Sequence, residues 1–182
     1  MVAKGLDFPA VTLTGVVCAD IGLHFPDFRA AERTFALIMQ ACGRSGRARA
    51  GLAIVQTYAP THPAITYAAA HDYTAFAEEE LAARRVLGYP PSARLVYLGV
   101  IGRSRARSES SAARYAQMLR DLKVAEVLGP APYPIARLDN EWRFRIALRA
   151  RHGTALRRAI RESILPLAAG DQSTRLAIIV DP

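Results

Sequence analysis

The feature that most constrains this chain is a hard break at Gly88-Tyr89-Pro90-Pro91. A glycine suited to ending a helix is followed by two prolines, which neither extend a helix nor donate to a sheet ladder. The 182 residues therefore divide near their middle, and the charge divides with them. Residues 1–88 hold 8 basic and 8 acidic side chains; residues 89–182 hold 16 basic and 8 acidic, the whole net charge of +8. Of the 24 cations only Lys4 and Lys123 are lysine. The planar fork of arginine matches phosphate and carboxylate oxygens, which suits the second half to an anionic partner. The competing explanation is a GC-rich genome that encodes arginine wherever a surface cation will do.

An apolar fraction of 51% argues against a disordered, solvating chain. The two cysteines, Cys18 and Cys42, form no Cys-x-x-Cys and have no nearby histidine pair, which argues against a disulfide scaffold and against zinc. No apolar run reaches the roughly 18 residues of a membrane span, and Met1–Asp7 has no signal-peptide core. These features predict a soluble cytoplasmic protein without a metal site in this chain.

Before the break, Val11–Cys18 is uncharged and β-branched and reads as a strand buried on both faces. Asp20 stands at its end. Asp27 offers an N-cap for a helix from about Phe28 to Cys42, with Phe28, Ala31, Phe35, Ile38 and Cys42 on one face. A second buried strand is expected at Leu52–Tyr58. Pro60 and Pro63 interrupt the pattern, and Asp72 can cap a helix over Tyr73–Leu87. Strand, helix, strand with short links is the unit of an α/β sheet.

Beyond the break the order changes. Strands are expected at Leu95–Ile101, Val124–Leu128 (halted by Gly129-Pro130), Trp142–Leu148 and Arg175–Val180. Helices are expected from Ser108 or Ser110 to Leu122, and from a Thr154 cap to Ala168. This βαββαβ order predicts an antiparallel sheet with two helices on one face. Along Trp142–Leu148 the alternation assigns Trp142, Phe144, Ile146 and Leu148 to one face and Arg143 and Arg145 to the other. A base-stacking role for Trp142 and Phe144 competes with a core role. Arg103, Arg105 and Arg107 form a basic loop that either touches phosphates or is simply solvated. His24, His62, His71 and His152 are scattered and read as surface or capping residues.

The strongest motif is Gln40-Ala41-Cys42-Gly43-Arg44-Ser45-Gly46-Arg47. Arg44 and Arg47 are fixed cations three residues apart, and Gly43 and Gly46 leave room for close backbone approach. Such a pair can straddle a γ-phosphate and neutralise charge as it leaves, an effect on the order of 10³–10⁵ in rate. Lys4-Gly5-Leu6-Asp7-Phe8-Pro9, ahead of the first strand, offers a glycine for close approach and an Asp for a ribose hydroxyl, or is a polar entry loop.

Together these residues resemble a known family. The likeness runs through Lys4–Pro9, Ala19-Asp20, Pro26–Phe35, Gln40–Arg47, Gln56-Thr57-Tyr58, Asp72-Tyr73, Leu87–Pro91, Leu128–Pro132, Ile135-Ala136-Arg137 and Trp142–Arg145. It is to the primosomal protein N-prime family, bacterial superfamily 2 DNA helicases of replication restart. The resemblance implies that 1–59 is the C-terminal part of a RecA-like helicase lobe with motifs V and VI. Residues 60–91 would be a linking helical segment and 92–182 a basic α+β domain. Arg44 and Arg47 fall on the motif VI arginines that act on ATP, with Gln40, Gly43 and Gly46 beside them; Lys4, Gly5 and Asp7 fall on motif V. Implied partners are single-stranded and forked DNA, the acidic tail of single-stranded-DNA-binding protein, and other primosome proteins. The complete enzyme would use ATP and Mg²⁺, and would carry zinc outside this chain.

A helicase of this kind needs a Gly-Lys-Ser/Thr phosphate loop and an acidic metal-binding box, and neither occurs among these 182 residues. The resemblance thus implies a C-terminal fragment beginning at an internal methionine and inactive as an ATPase by itself. The alternative function is a non-enzymatic basic module that binds DNA or protein. An RNA-binding sheet is disfavoured by the lack of a Gly-Phe-x-Phe strand pattern.

Overall fold

The computed structural model describes residues 11–43 and 51–182. The chain forms a mixed α/β structure of two compact units, 1–83 and 84–182.

In the first unit, β1 (Leu13–Val16) and β2 (Leu52–Val55) pair in parallel, with Leu13 opposite Leu52 and Val16 opposite Val55. Between them run a short α1 (Asp20–Leu23) and α2 (Ala30–Cys42); α3 (Pro63–Ala69) and α4 (Tyr73–Leu87) follow. α2 starts at Ala30 with Arg29 at its N-cap rather than at Phe28, so Asp27 stands two residues ahead of the cap; its carboxylate accepts from the Arg29 N–H at 2.9 Å and pairs with Arg33 at 2.6 Å. Phe35 and Ile38 carry the buried face of α2 onto Ala64, Ile65 and Ala68 of α3 and Phe76 of α4. Phe35 and Phe76 stack with ring centroids 4.3 Å apart.

Two expectations are corrected here. The first strands are not buried on both faces: Leu13, Leu52 and Ile54 are exposed, while Val16 and Val55 pack inward. The helical cluster covers one side of the two-stranded sheet, so its side chains alternate. The segment after Pro60 contains α3, begun by Pro63 at its first turn and capped by His62, whose Nδ1 accepts from the Ala64 N–H at 3.1 Å. His62 thus takes the capping role. Asp72 caps α4, accepting from the Ala75 N–H at 2.9 Å.

The second unit follows the βαββαβ order: β3 (Arg94–Gly102), α5 (Arg105–Leu122), β4 (Glu126–Leu138), β5 (Glu141–Ala150), α6 (Gly153–Ala159), α7 (Leu165–Gly170) and β6 (Arg175–Val180). The sheet order is β4-β5-β3-β6 and every pairing is antiparallel. Val96, Leu98 and Val100 of β3 and Phe144, Ile146 and Leu148 of β5 face Tyr115, Ala116 and Leu119 of α5 and Leu156 of α6. Helices of this unit therefore cover one face of the sheet; on the other, Leu95 and Ile101 are buried while Tyr97, Arg143 and Arg145 are half-buried.

Again two elements differ from expectation. β4 does not stop at Gly129-Pro130; it is interrupted there and resumes to Leu138, with register shifts between Leu128 and Ala131 and between Pro132 and Arg137. The prolines remove ladder donors locally, and the strand passes them as irregularities rather than ending. The helix expected over 154–168 is split by a π-helical turn, Ile160–Ile164, just ahead of Pro166. A widened turn accommodates a residue that has no N–H to bond four residues back. Its N-cap is His152, without a side-chain bond, and not Thr154.

Candidate nucleic-acid interface

This other face of the second unit's sheet is assembled by register. Along β5, Phe144, Ile146 and Leu148 turn to the helices, so Arg143 and Arg145 turn away from them. Arg145 lies opposite Gly99 of β3 and Arg143 opposite Ile101. Tyr97, one diagonal step along β3, comes under Arg145 with 4.5 Å between the guanidinium carbon and the ring centroid. Tyr133, from the irregular part of β4, lies 4.6 Å from Arg143 and 5.7 Å from Arg145 by the same measure. Gly99 makes room for it, since a Cβ there would stand 2.9 Å from the Tyr133 hydroxyl oxygen.

This ladder of two arginines and two tyrosines is half-buried. Each cation–π contact contributes about 0.5–1 kcal/mol, and each restrains a long side chain. Neither arginine has a carboxylate partner among the described residues, so both guanidinium groups keep donors for an external anion. Other cations here are already engaged. Arg149 pairs with Glu126 at 2.5 Å, donates to the Leu87 carbonyl and lies over Tyr89. Arg175 pairs with Glu141 at 2.9 Å, and Arg94 with Asp181 at 2.8 Å.

Arg103, Arg105 and Arg107 lie at the start of α5 and are exposed. The structure shortens the expected loop: Ser104 is the N-cap, accepting from the Arg107 N–H at 3.4 Å, and Arg105 and Arg107 belong to the first helical turn. Helix dipole and side-chain charge therefore have the same sign at this end. Arg105 stacks on Trp142 at 5.3 Å, and Arg137 on the same ring at 5.6 Å. Trp142 is half-buried at the margin of the core, between the two roles its sequence allowed.

The other candidates lie in the first unit. Gln40 and Gly43 are exposed at the end of α2. Lys4, Gly5, Asp7, Arg44, Gly46 and Arg47 lie outside the described residues. Asp20, after β1, is buried and accepts from the Tyr58 N–H at 3.1 Å and the Thr57 hydroxyl at 3.0 Å. Burial opposes its charge, but these bonds outweigh burial and hold the carboxyl below its ordinary pKa. It ties the ends of the two parallel strands together. Among the described residues no group of three or more His, Cys, Asp or Glu is placed to hold a metal ion, and no helix is long and apolar enough to cross a membrane.

Sequence reading missed Tyr97, Tyr133 and Arg137. The alternation of Leu95–Ile101 already placed Tyr97 opposite Val96 and Leu98, which was signal enough. Tyr133 sat in a proline-rich stretch with no periodicity to orient it.

The fold and this face define a split βαβ domain that presents stacked arginines on the sheet surface its helices leave uncovered. Residues 85–182 match the family described as Primosomal protein N C-terminal domain, and the chain belongs to that family. It is similar to the protein named Replication restart protein PriA from several bacteria. The relative from Treponema pallidum is 44% identical over 153 residues, covering 82% of this chain and 23% of the relative. That from Bacillus subtilis is 42% identical over 159 residues, 86% of this chain and 20% of the relative. That from Chlamydia trachomatis is 34% identical over 184 residues, 100% of this chain and 24% of the relative. The chain thus spans about a fifth to a quarter of the length of the curated relatives it matches.

Proposed function

We propose that this chain is the C-terminal portion of an ATP-dependent 3′→5′ DNA helicase that restarts stalled replication forks. The reading is supported by similarity to replication restart proteins along the chain, and the observation that carries its DNA-binding part is the Arg143–Arg145 ladder, which has no carboxylate partner among the described residues. The sheet face that bears it grips the backbone of single-stranded or forked DNA, with Arg103, Arg105 and Arg107 adding charge. The acidic tail of single-stranded-DNA-binding protein and other primosome proteins are further partners.

In this reading residues 1–59 are the end of a RecA-like lobe and 60–91 a linking helical segment. Arg44 and Arg47 bond the γ-phosphate of an ATP held by another lobe, and Gln40, Gly43 and Gly46 line their approach. Gly5 and Asp7 contribute to the nucleotide cleft, and Lys4 to the bound strand. Guanidinium and backbone N–H groups donate to phosphate oxygens and do not ligate metal; the Asp7 carboxylate is the one side chain of this set that could reach the nucleotide's Mg²⁺. Magnesium ATP would supply the γ-phosphoryl group, which passes to water as ADP leaves; the residues here would orient that group and neutralise the charge that develops on it. Without a phosphate loop the 182-residue chain does not turn over ATP.

The test is fluorescence anisotropy with forked and single-stranded DNA across a salt series. Affinity should fall steeply with salt, and Arg143→Ala or Arg145→Ala should weaken binding to all sequences alike. Each should flatten the log–log salt slope by about one. Absence of salt-dependent binding at micromolar concentration would sink the proposal.

A further inference from the structure

Beneath the second irregularity of β4 lies a small cavity of about 190 Å³, lined by Pro132, Ala136, Trp142 and Phe144 together with Arg105 and Arg143. Its origin is topological. Pro132 is opposite Phe144 and Arg137 opposite Trp142, so Tyr133–Ala136 stand against Arg143 alone and bow away from β5. The bow leaves a gap between β4 and the first turn of α5, and such bulges recur where a sheet must re-aim side chains toward a ligand.

Three properties limit what fits. The slot is smaller than the about 300–1,000 Å³ of pockets that take a whole drug-sized ligand, so it admits one group and not a molecule. Four of its six lining residues are apolar, two of them aromatic. Its charged members are both arginines, and a third, Arg137, lies against the same tryptophan. An apolar slot for one group, bordered only by cations, complements a flat ring attached to an anionic backbone. The geometry points to this slot as a capture site for a single unpaired nucleobase. The base lies against Phe144 and Trp142, taking a place on the Trp142 ring that the Arg105 and Arg137 guanidinium groups now hold, and those groups turn with Arg143 to the phosphates on either side. Aromatic faces and guanidinium planes both stack bases with little regard to sequence. A paired base cannot enter, because its edges and faces are already occupied in the duplex. The inference rests on the proposal that the second unit binds DNA, and adds that it tells unpaired from paired strands.

Trp142 is the sole tryptophan, so its emission reports on the slot directly. The full 182-residue chain is titrated, with anisotropy and tryptophan emission read together. The probes are a single-stranded oligonucleotide, the blunt duplex of the same sequence, a fully abasic strand, and an acidic peptide ending in an apolar residue. The single strand should quench Trp142 in step with binding, whereas the duplex and the abasic strand should bind through the arginines and leave emission unchanged. Ala136→Phe, which fills the slot, should lower single-strand affinity about tenfold and leave duplex affinity as it was. Binding of single strands without quenching, or equal quenching by duplex and abasic strand, overturns the slot and leaves DNA binding standing. Quenching by the acidic peptide alone assigns the slot to a protein partner and also overturns it. Failure to bind any DNA overturns both proposals.

Discussion

Asp171 shows how one side chain fastens separate elements. Its carboxylate accepts from the hydroxyls of Ser111 at 2.5 Å, Ser173 at 2.6 Å and Thr174 at 2.9 Å, and from the Ser173 N–H at 2.9 Å, joining α5 to the turn before β6. The Ser111 bond first, then Ser173, hold its pKa well below the carboxylate range although burial opposes this. A depressed pKa in the folded state contributes stability above the unfolded value, and that stability is lost as pH falls through the folded value. Asp171→Asn is expected to lower stability at pH 7 by about 1 kcal/mol, with allowance for screening where solvent reaches the group. Urea midpoints should show the gap between variant and parent closing as pH drops below about 4. Tyr115 presents the opposite case. It is fully buried and its hydroxyl has no hydrogen-bond partner among the described residues, so Tyr115→Phe removes an uncompensated polar group. Thermal unfolding should find the variant as stable as the parent or more so, by up to about 1 kcal/mol. The tie to Ser111 could not be read locally, since Asp171 and Ser111 are 60 residues apart, whereas the Asp72 cap, three residues from the Ala75 N–H that donates to it, was visible in the sequence.

At the scale of elements, closeness between backbones decides more than side-chain identity. Gly102 ends β3 where the chain turns toward α5, and a Cβ there would stand 2.7 Å from the Ser173 carbonyl oxygen and 2.9 Å from the Ser108 hydroxyl oxygen. The first of these is backbone and cannot swing aside. Gly102→Ala is expected to cost about 1–3 kcal/mol in chemical denaturation by forcing β3 and the turn before β6 apart. Strand and helix types in this unit were legible because period-two and helical patterns are strong over Leu95–Leu122 and Trp142–Leu148. The run of β4 past Gly129-Pro130 was not legible, because prolines suppress the local signal while pairing with β5 holds the strand in place. The split in the last helix escaped for a similar reason. A π turn is a response to packing and to Pro166, and has no pattern of its own.

At the scale of the molecule, the two units have unequal foundations. In the second, β3 and β5 are interior strands of a four-stranded sheet under a helical layer. In the first, among the described residues, two four-residue strands pair only with each other and expose Leu13, Leu52 and Ile54. Amide hydrogen exchange should therefore be slowest at Val96, Leu98, Val100, Ile146 and Leu148, and faster by at least an order of magnitude across β1 and β2. Equal protection in both sheets would contradict this. The sequence by itself determined the break near Gly88, the segregation of charge, the βαββαβ order and the side of β5 on which Arg143 and Arg145 stand. Each is set by nearest neighbours along the chain: composition, capping and the period of two. Tertiary structure alone decided that Tyr97 and Tyr133 hold those arginines, and that Arg149, Arg175 and Arg94 are already paired. It also decided that a slot opens beside Trp142. Those outcomes depend on cross-strand register and on where β4 bows away from β5, and register is a relation between distant segments that no local pattern encodes.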